Sequence, residues 1–256
     1  MSTKPKQTSS SQRREKQTTR SPKSGNVNFT PAKKQINFSL RQIVPLTDRQ
    51  EDMFVAFENN KHIIGYGSSG TGKTMVCVYL ALRDVLINKT HDRIIIVRSP
   101  LSVNSQGHLP GTLEEKEAVF ERPYKDIVNW LMDDNLAYET LKENDIISFQ
   151  TTSYIRGLTW EYSIVIADET QNMLWEEINT IATRKGVETL LMFIGDLKQD
   201  DLSIAKRNHF TGMNRLLMVG QFIQDVEMIN FLPEDIVRDK FVKEWILACE
   251  KVEQLK

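Results

Sequence analysis

From about residue 36 onward the chain alternates short apolar runs with longer stretches in which apolar residues recur every three or four positions. HIIGY (62–66), RIIIV (93–97), DIISFQ (145–150), YSIVIA (162–167), TLLMFI (189–194) and VEMINFL (226–232) have the length of strands. Several of them are apolar at nearly every position rather than at every second one, which is the pattern of a strand buried on both faces. Between most of them lie helical candidates at 73–87, 113–132, 173–185 and 234–252. Strands alternating with helices predict a single α/β domain with a mostly parallel sheet covered on both sides. No internal repeat is present, and the remaining residues are too few for a second domain of similar size. No apolar run reaches membrane-spanning length.

The first 34 residues are different. They hold nine basic residues and one acid, leaving 24 basic against 33 acidic residues in the rest of the chain. They are rich in Ser, Thr, Gln and Lys and nearly free of apolar side chains, so they cannot bury enough surface to offset the entropy of ordering. The expectation is a disordered basic tail over residues 1–35 and a folded domain over 36–256. Such a tail can hold phosphate backbones by counterion release, or it can serve only as a solubilising arm. It lacks the apolar stretch of a secretory signal. With only Cys77 and Cys249, no disulfide framework or metal spacing exists, and each thiol is expected to pack as a small apolar group. A cytoplasmic location without membrane attachment follows as an expectation.

The chemistry begins after the HIIGY run. GSSGTGKT, Gly67 to Thr74, follows a strand and opens a helix, as a phosphate-binding loop requires. Gly67, Gly70 and Gly72 let backbone amides curl around a phosphate without Cβ clashes, and the amides of Ser68, Ser69 and Thr71 complete the cradle. The helix N-terminus adds partial positive charge. Lys73 is expected to reach the β- and γ-phosphates and the Thr74 hydroxyl to ligate Mg²⁺.

The YSIVIA run ends in Asp168 and Glu169. The strand-end Asp is expected to hold Mg²⁺, and a Glu directly after it suits a general base that activates water. A phosphotransferase needs no such base, so the pair favours hydrolysis; an acid pair complementing a helix dipole is the alternative. The TLLMFI run ends in Gly195-Asp196, with Gln199 just beyond. These residue types make ordinary turns. Beside the Asp168 strand, however, Gln199 is placed to sense the γ-phosphate or the attacking water, because a neutral amide both donates and accepts.

Together these stretches resemble the PhoH-like family, a branch of the P-loop NTPases related to superfamily 1 helicases. The resemblance rests on GSSGTGKT, VRSPLSVNSQGHLPGTLEEK (97–116), YIRGLTW (154–160), IADETQN (166–172), GDLKQDD (195–201) and EDIVRDKFVKEWI (234–246), in order from about 45 to 252. It implies a three-layer RecA-like core, ATP hydrolysis with Mg²⁺, a link to RNA or single-stranded DNA, and homo-oligomeric assembly such as a hexameric ring. It also implies roles. Gln50 would read adenine, Arg238 would be an arginine finger or γ-phosphate sensor, and Arg98 would touch the nucleic-acid backbone.

The residues themselves leave alternatives open. Gln50 can be a solvated helix residue. Arg238, expected on the helix 234–252, can pair with Glu234, Asp235 or Asp239. Arg156 can contact phosphate or simply sit in a turn. Two departures stand out: Asp-Glu-Thr-Gln-Asn replaces the family's Asp-Glu-Ala-Gln-Asn, and Ser99 separates Arg98 from Pro100. Some family members carry a fused nuclease domain; the tail here is too short and polar for one. A second functional class, a nucleotide-driven assembly switch with slow hydrolysis, has the absent second motor domain in its favour and Glu169 against it. A small-molecule kinase ranks third.

Overall fold

Six parallel strands form one sheet, in the order β3-β2-β4-β5-β1-β6. They are β1 (His62–Gly67), β2 (Arg93–Arg98), β3 (Ile147–Thr151), β4 (Ser163–Ala167), β5 (Thr189–Gly195) and β6 (Val226–Phe231). The structure is a computed structural model that describes Met1 and residues 39–100, 113–196 and 212–253. The chain divides into units at 1–33 and 34–256, and the fold below is that of the second. The basic tail and the segments 101–112 and 197–211, the latter including Gln199, lie outside the described residues.

Burial follows the sequence pattern closely. Every residue of β4 and β5 is buried, whereas the edge strands β3 and β6 alternate with partly exposed positions. Alternate side chains serve two cores. On one face Ile94, Ile96, Ile164, Ile166, Met192 and Ile194 pack with Met53, Leu80, Val128 and Leu141. These come from α1 (Asp48–Glu58), α2 (Lys73–Arg83), α3 (Leu113–Met132) and α4 (Ala137–Glu143). On the other face Ile95, Val97, Val165, Leu191 and Phe193 meet Ile178, Ile181, Met213 and Leu216, from α5 (Trp175–Thr183) and α6 (Gly212–Gly220). The result is the three-layer RecA-like arrangement, with β5 inserted between the strand before the phosphate loop and the strand carrying Asp168. In such a sheet the strand C-terminal ends line the ligand crevice.

Three expectations are corrected. The helix expected over 234–252 starts late, as α7 (Lys240–Glu253), after a 3₁₀ turn at Pro233–Asp235. Arg238 therefore lies in the connection rather than on the helix. The Val237 N–H is taken by the Gly70 carbonyl at 3.1 Å. Asp239 Oδ1 caps α7 by accepting from the N–H groups of Phe241 (3.0 Å) and Val242 (3.2 Å). Helices α1, α4 and α6 add to the four helical ranges named from the sequence. Finally, Cys77 is buried as expected, but Cys249 is exposed, on the same outward stripe as Phe241, Trp245 and Val252. Among the described residues no helix is long and apolar enough to cross a membrane.

Candidate functional site: a phosphate cradle facing two acids

The loop after β1 is held from three sides. Gly67, Gly70 and Gly72 all take positive φ (114°, 72° and 81°). A Cβ on Gly67 would sit 2.0 Å from the Phe231 carbonyl oxygen, so β6 leaves room for nothing but glycine there. The Ser68 N–H donates to that same carbonyl at 2.9 Å, and the Gly70 carbonyl receives Val237. The third tether is Gln50. Its Nε2 donates to the Thr71 carbonyl at 2.9 Å while its Oε1 accepts from the Leu46 N–H at 2.9 Å. It is buried, at 4% exposure, so the solvated-helix alternative does not hold. It stands behind the loop and is not among the residues lining the cavity.

Lys73 opens α2 and folds back over the loop, donating to the carbonyls of Ser68 (2.6 Å) and Gly67 (3.2 Å). Burial pushes its pKa below the ordinary lysine value, against the pull of Asp196, Asp168 and Glu169. Thr74 is the next residue, and its hydroxyl faces the Asp168 carboxylate at 3.3 Å. A hydroxyl and a carboxylate are hard oxygen donors, the pair a Mg²⁺ ion takes when phosphates and waters supply its other ligands. Among the described residues no group of three His, Cys, Asp or Glu could hold a metal by itself. The donor set therefore fits Mg²⁺ delivered with a nucleotide.

Asp168 and Glu169 stand where β4 ends. Asp168 accepts from the Glu169 N–H at 2.8 Å and from the Tyr124 hydroxyl at 2.7 Å. Tyr124 comes from α3, is fully buried, and has its pKa pushed well up by burial and by the Asp168 charge. Glu169 has a left-handed backbone, φ 53°, which non-glycine residues rarely adopt. Burial and the neighbouring Asp168 push its carboxyl above the ordinary range; Arg98 and the Gln171 amide pull it back.

One cavity of about 490 Å³ gathers Ser69 to Met75, Ile127, Asp168, Glu169, Gly195, Asp196, Val237 and Arg238. That volume suits a small-molecule ligand. Arg238 reaches it from the same chain, packing beside Gly70. Arg98, expected at the nucleic-acid backbone, faces Glu169. Its guanidinium lies 3.7 Å from the Glu169 carboxylate and 5.3 Å from the centre of the Phe120 ring. Ser99 turns inward and donates to Glu177 at 3.0 Å. Arg156 is exposed in the turn between β3 and β4, away from the cavity. Of the other described basic residues, Arg41 pairs with Asp133 and Lys125 with Glu139. Trp160 is buried in the second core and Trp175 is covered by Arg215, 4.6 Å from the ring centre.

Tyr124, Phe120 and Gln171 carry contacts that sequence reasoning did not assign. Gln171 was at least inside a recognised motif; nothing local marks Tyr124, which meets Asp168 only through the fold.

A family model described as PhoH-like protein matches residues 42–250. A PhoH-like protein of Mycobacterium leprae is 29% identical over 215 residues, covering 84% of this chain and 60% of the relative. Protein PhoH of Escherichia coli K12 is 31% identical over 198 residues, covering 77% and 55% respectively. The chain thus spans less than two thirds of the length of these relatives. Among solved structures, the Pif1 helicase from Candida albicans aligns with 74% of this chain and 41% of its own, at 15% identity and a TM-score of 0.37.

Proposed function

This chain belongs to the PhoH-like family, and from that premise and the geometry of its cavity we propose that it is a Mg²⁺-dependent ATP hydrolase coupled to RNA or single-stranded DNA. The observation that carries the reading is that Lys73, Thr74, Asp168, Glu169 and Arg238 all border one cavity of one chain. A cradle without a base would bind nucleotide and stop; a base without a cradle would have nothing to act on.

In this reading the loop amides and Lys73 hold the β- and γ-phosphates. Thr74 and Asp168 would hold Mg²⁺ brought by the nucleotide, and the ion would supply positive charge to the phosphate oxygens. Glu169 accepts a proton from water as the water oxygen bonds to the γ-phosphorus and the bond to the ADP oxygen breaks. Arg238 stabilises the charge that spreads over the transferring phosphoryl group. It borders the cavity of its own chain, which supports action in cis. Gln199 remains our choice for the γ-phosphate sensor. Homo-oligomeric assembly and a nucleic-acid partner belong to the proposal as family expectations. Arg98 and Arg156 would carry the polymer contact, Arg98 by letting go of Glu169 to do so.

The test is steady-state ATP hydrolysis with and without Mg²⁺ and with and without single-stranded RNA. Turnover that needs Mg²⁺ and rises with RNA is the expected result. Turnover indifferent to RNA and to single-stranded DNA keeps the hydrolase and removes the polymer. Tight ATP binding with no turnover under any condition replaces the hydrolase by the assembly switch.

A further inference from the structure

We propose that Gln171 is the positioning residue of Glu169: it bridges the carboxylate to the backbone at the end of β5 and so holds the base aimed at the cavity. The inference rests on the hydrolytic reading of Glu169, and its readouts separate the two.

Gln171 is 1% exposed and lies in the 3₁₀ turn Thr170–Asn172 that follows Glu169. Its Oε1 accepts from the Asp196 N–H at 2.9 Å, and its Nε2 donates to Glu169 Oε2 at 2.5 Å. Chemistry fixes this orientation. A backbone N–H can only donate, so the side-chain oxygen must face Asp196 and the NH₂ must face Glu169. The amide is therefore a donor aimed at a carboxylate, a bond that favours the ionised form.

Nothing else described holds Glu169 as closely. The Arg98 nitrogen is 3.7 Å from Oε1, beyond hydrogen-bond range. Oε1 thus keeps its lone pairs for a water while Oε2 is tied down. The backbone is fixed too: the Glu169 carbonyl accepts from the Asn172 N–H at 2.9 Å, holding the left-handed conformation.

A second observation points to the same bridge from the other side. A Cβ on Gly195 would stand 2.6 Å from Gln171 Oε1 and 3.1 Å from its backbone nitrogen. Gly195 has no side chain because the Gln171 amide occupies that space. The turn is pinned to the same strand once more, through the Thr170 hydroxyl donating to the Ile194 carbonyl at 2.6 Å. The end of β5, which borders the cavity at Gly195 and Asp196, is in this way rigidly connected to the base at the end of β4.

Two variants test it. Gln171→Met fills nearly the same volume without the hydrogen bonds, and Gly195→Ala pushes the amide away while leaving it present. Each is followed by kcat and KM for ATP at saturating Mg²⁺, and by the ¹H–¹⁵N signals of the Gln171 side-chain NH₂, compared between wild type, Gly195→Ala and Glu169→Ala. In both variants kcat should fall roughly tenfold, with KM unchanged in Gln171→Met, since the base contributes to the chemical step rather than to binding. The NH₂ signals should move in Glu169→Ala and in Gly195→Ala, because the donor has lost its carboxylate partner. A lower Tm with kcat unmoved, or NH₂ signals indifferent to Glu169→Ala, would make Gln171 a packing residue and overturn the proposal. If the NH₂ signals move but the wild type hydrolyses nothing, the bridge stands and the hydrolase reading falls. Should Gln171→Met not fold, Gly195→Ala alone decides.

Discussion

Helix α2 has a carboxylate at each end, and the two are treated in opposite ways. At its far end, roughly 16 Å along the axis, Asp84 is 4% exposed and fully served. It accepts from the Thr90 hydroxyl, from the His91 N–H at 3.1 Å, and from His91 Nδ1 at 2.7 Å. Burial pushes its carboxyl up, but the His91 and Thr90 hydrogen bonds outweigh it and hold the group below the ordinary range. At the near end, facing Lys73, Glu169 has one close donor among the described residues, Gln171, and burial wins. The buried carboxylate at one end is fully satisfied, whereas the half-exposed one at the other has a single close donor among the described residues. The underserved one is the group that borders the cavity. Completeness of hydrogen bonding separates a carboxylate that builds the fold from one that is available to water.

The largest effect on this contrast should come from Asp84→Ala, which strands His91 and frees the end of α2. It should cost roughly 3 kcal/mol of unfolding stability, more than a hundredfold in the folding constant, with kcat/KM nearly unchanged. Urea denaturation checks the first and a turnover assay the second. The pH dependence has a definite sign. A carboxyl held below its unfolded value contributes stability above that value and loses it as pH falls through the folded value. The gap between wild type and Asp84→Ala should therefore close in acid.

At the other end of the helix, Tyr124→Phe removes one hydrogen bond from Asp168 and little else. The Mg²⁺ concentration for half-maximal turnover should rise about tenfold, while nucleotide affinity measured without Mg²⁺ stays put. An unchanged Mg²⁺ requirement would mean that Tyr124 merely fills space.

Gln50→Ala is smaller, of the order of one net hydrogen bond, about fivefold in kcat/KM. Because Gln50 ties the phosphate loop from behind, the loss should be equal for ATP, GTP and CTP. A loss confined to ATP would instead make Gln50 the adenine reader that the family resemblance implies.

What was legible in the sequence was local. The phosphate loop is backbone chemistry written in consecutive residues, and β4 and β5 are apolar after their first residue because both faces are covered. The local pattern puts Arg238 on a helix because Pro233-Glu234-Asp235 resembles a helix start. What delays α7 is the long-range bond from Val237 to Gly70, which no local pattern encodes. Gln50 was open between solvent and site for the same reason: its partner Thr71 is 21 residues away. Tyr124 and Asp168 are 44 residues apart, and a tyrosine within an amphipathic helix carries no sign of such a partner. Arg98 was read from its motif as a polymer contact. Only the fold brings it to Glu169, because β2 and β4 are neighbours whose ends coincide.

The central claim is that Glu169 activates water at a site that binds nucleotide without it. The most direct measurement is ATP affinity and single-turnover hydrolysis for wild type and Glu169→Gln under the same Mg²⁺ conditions. The account predicts equal affinity, within about twofold, and hydrolysis slowed by a hundredfold or more in the variant. Hydrolysis at the wild-type rate in Glu169→Gln, with ATP bound equally well, would contradict it.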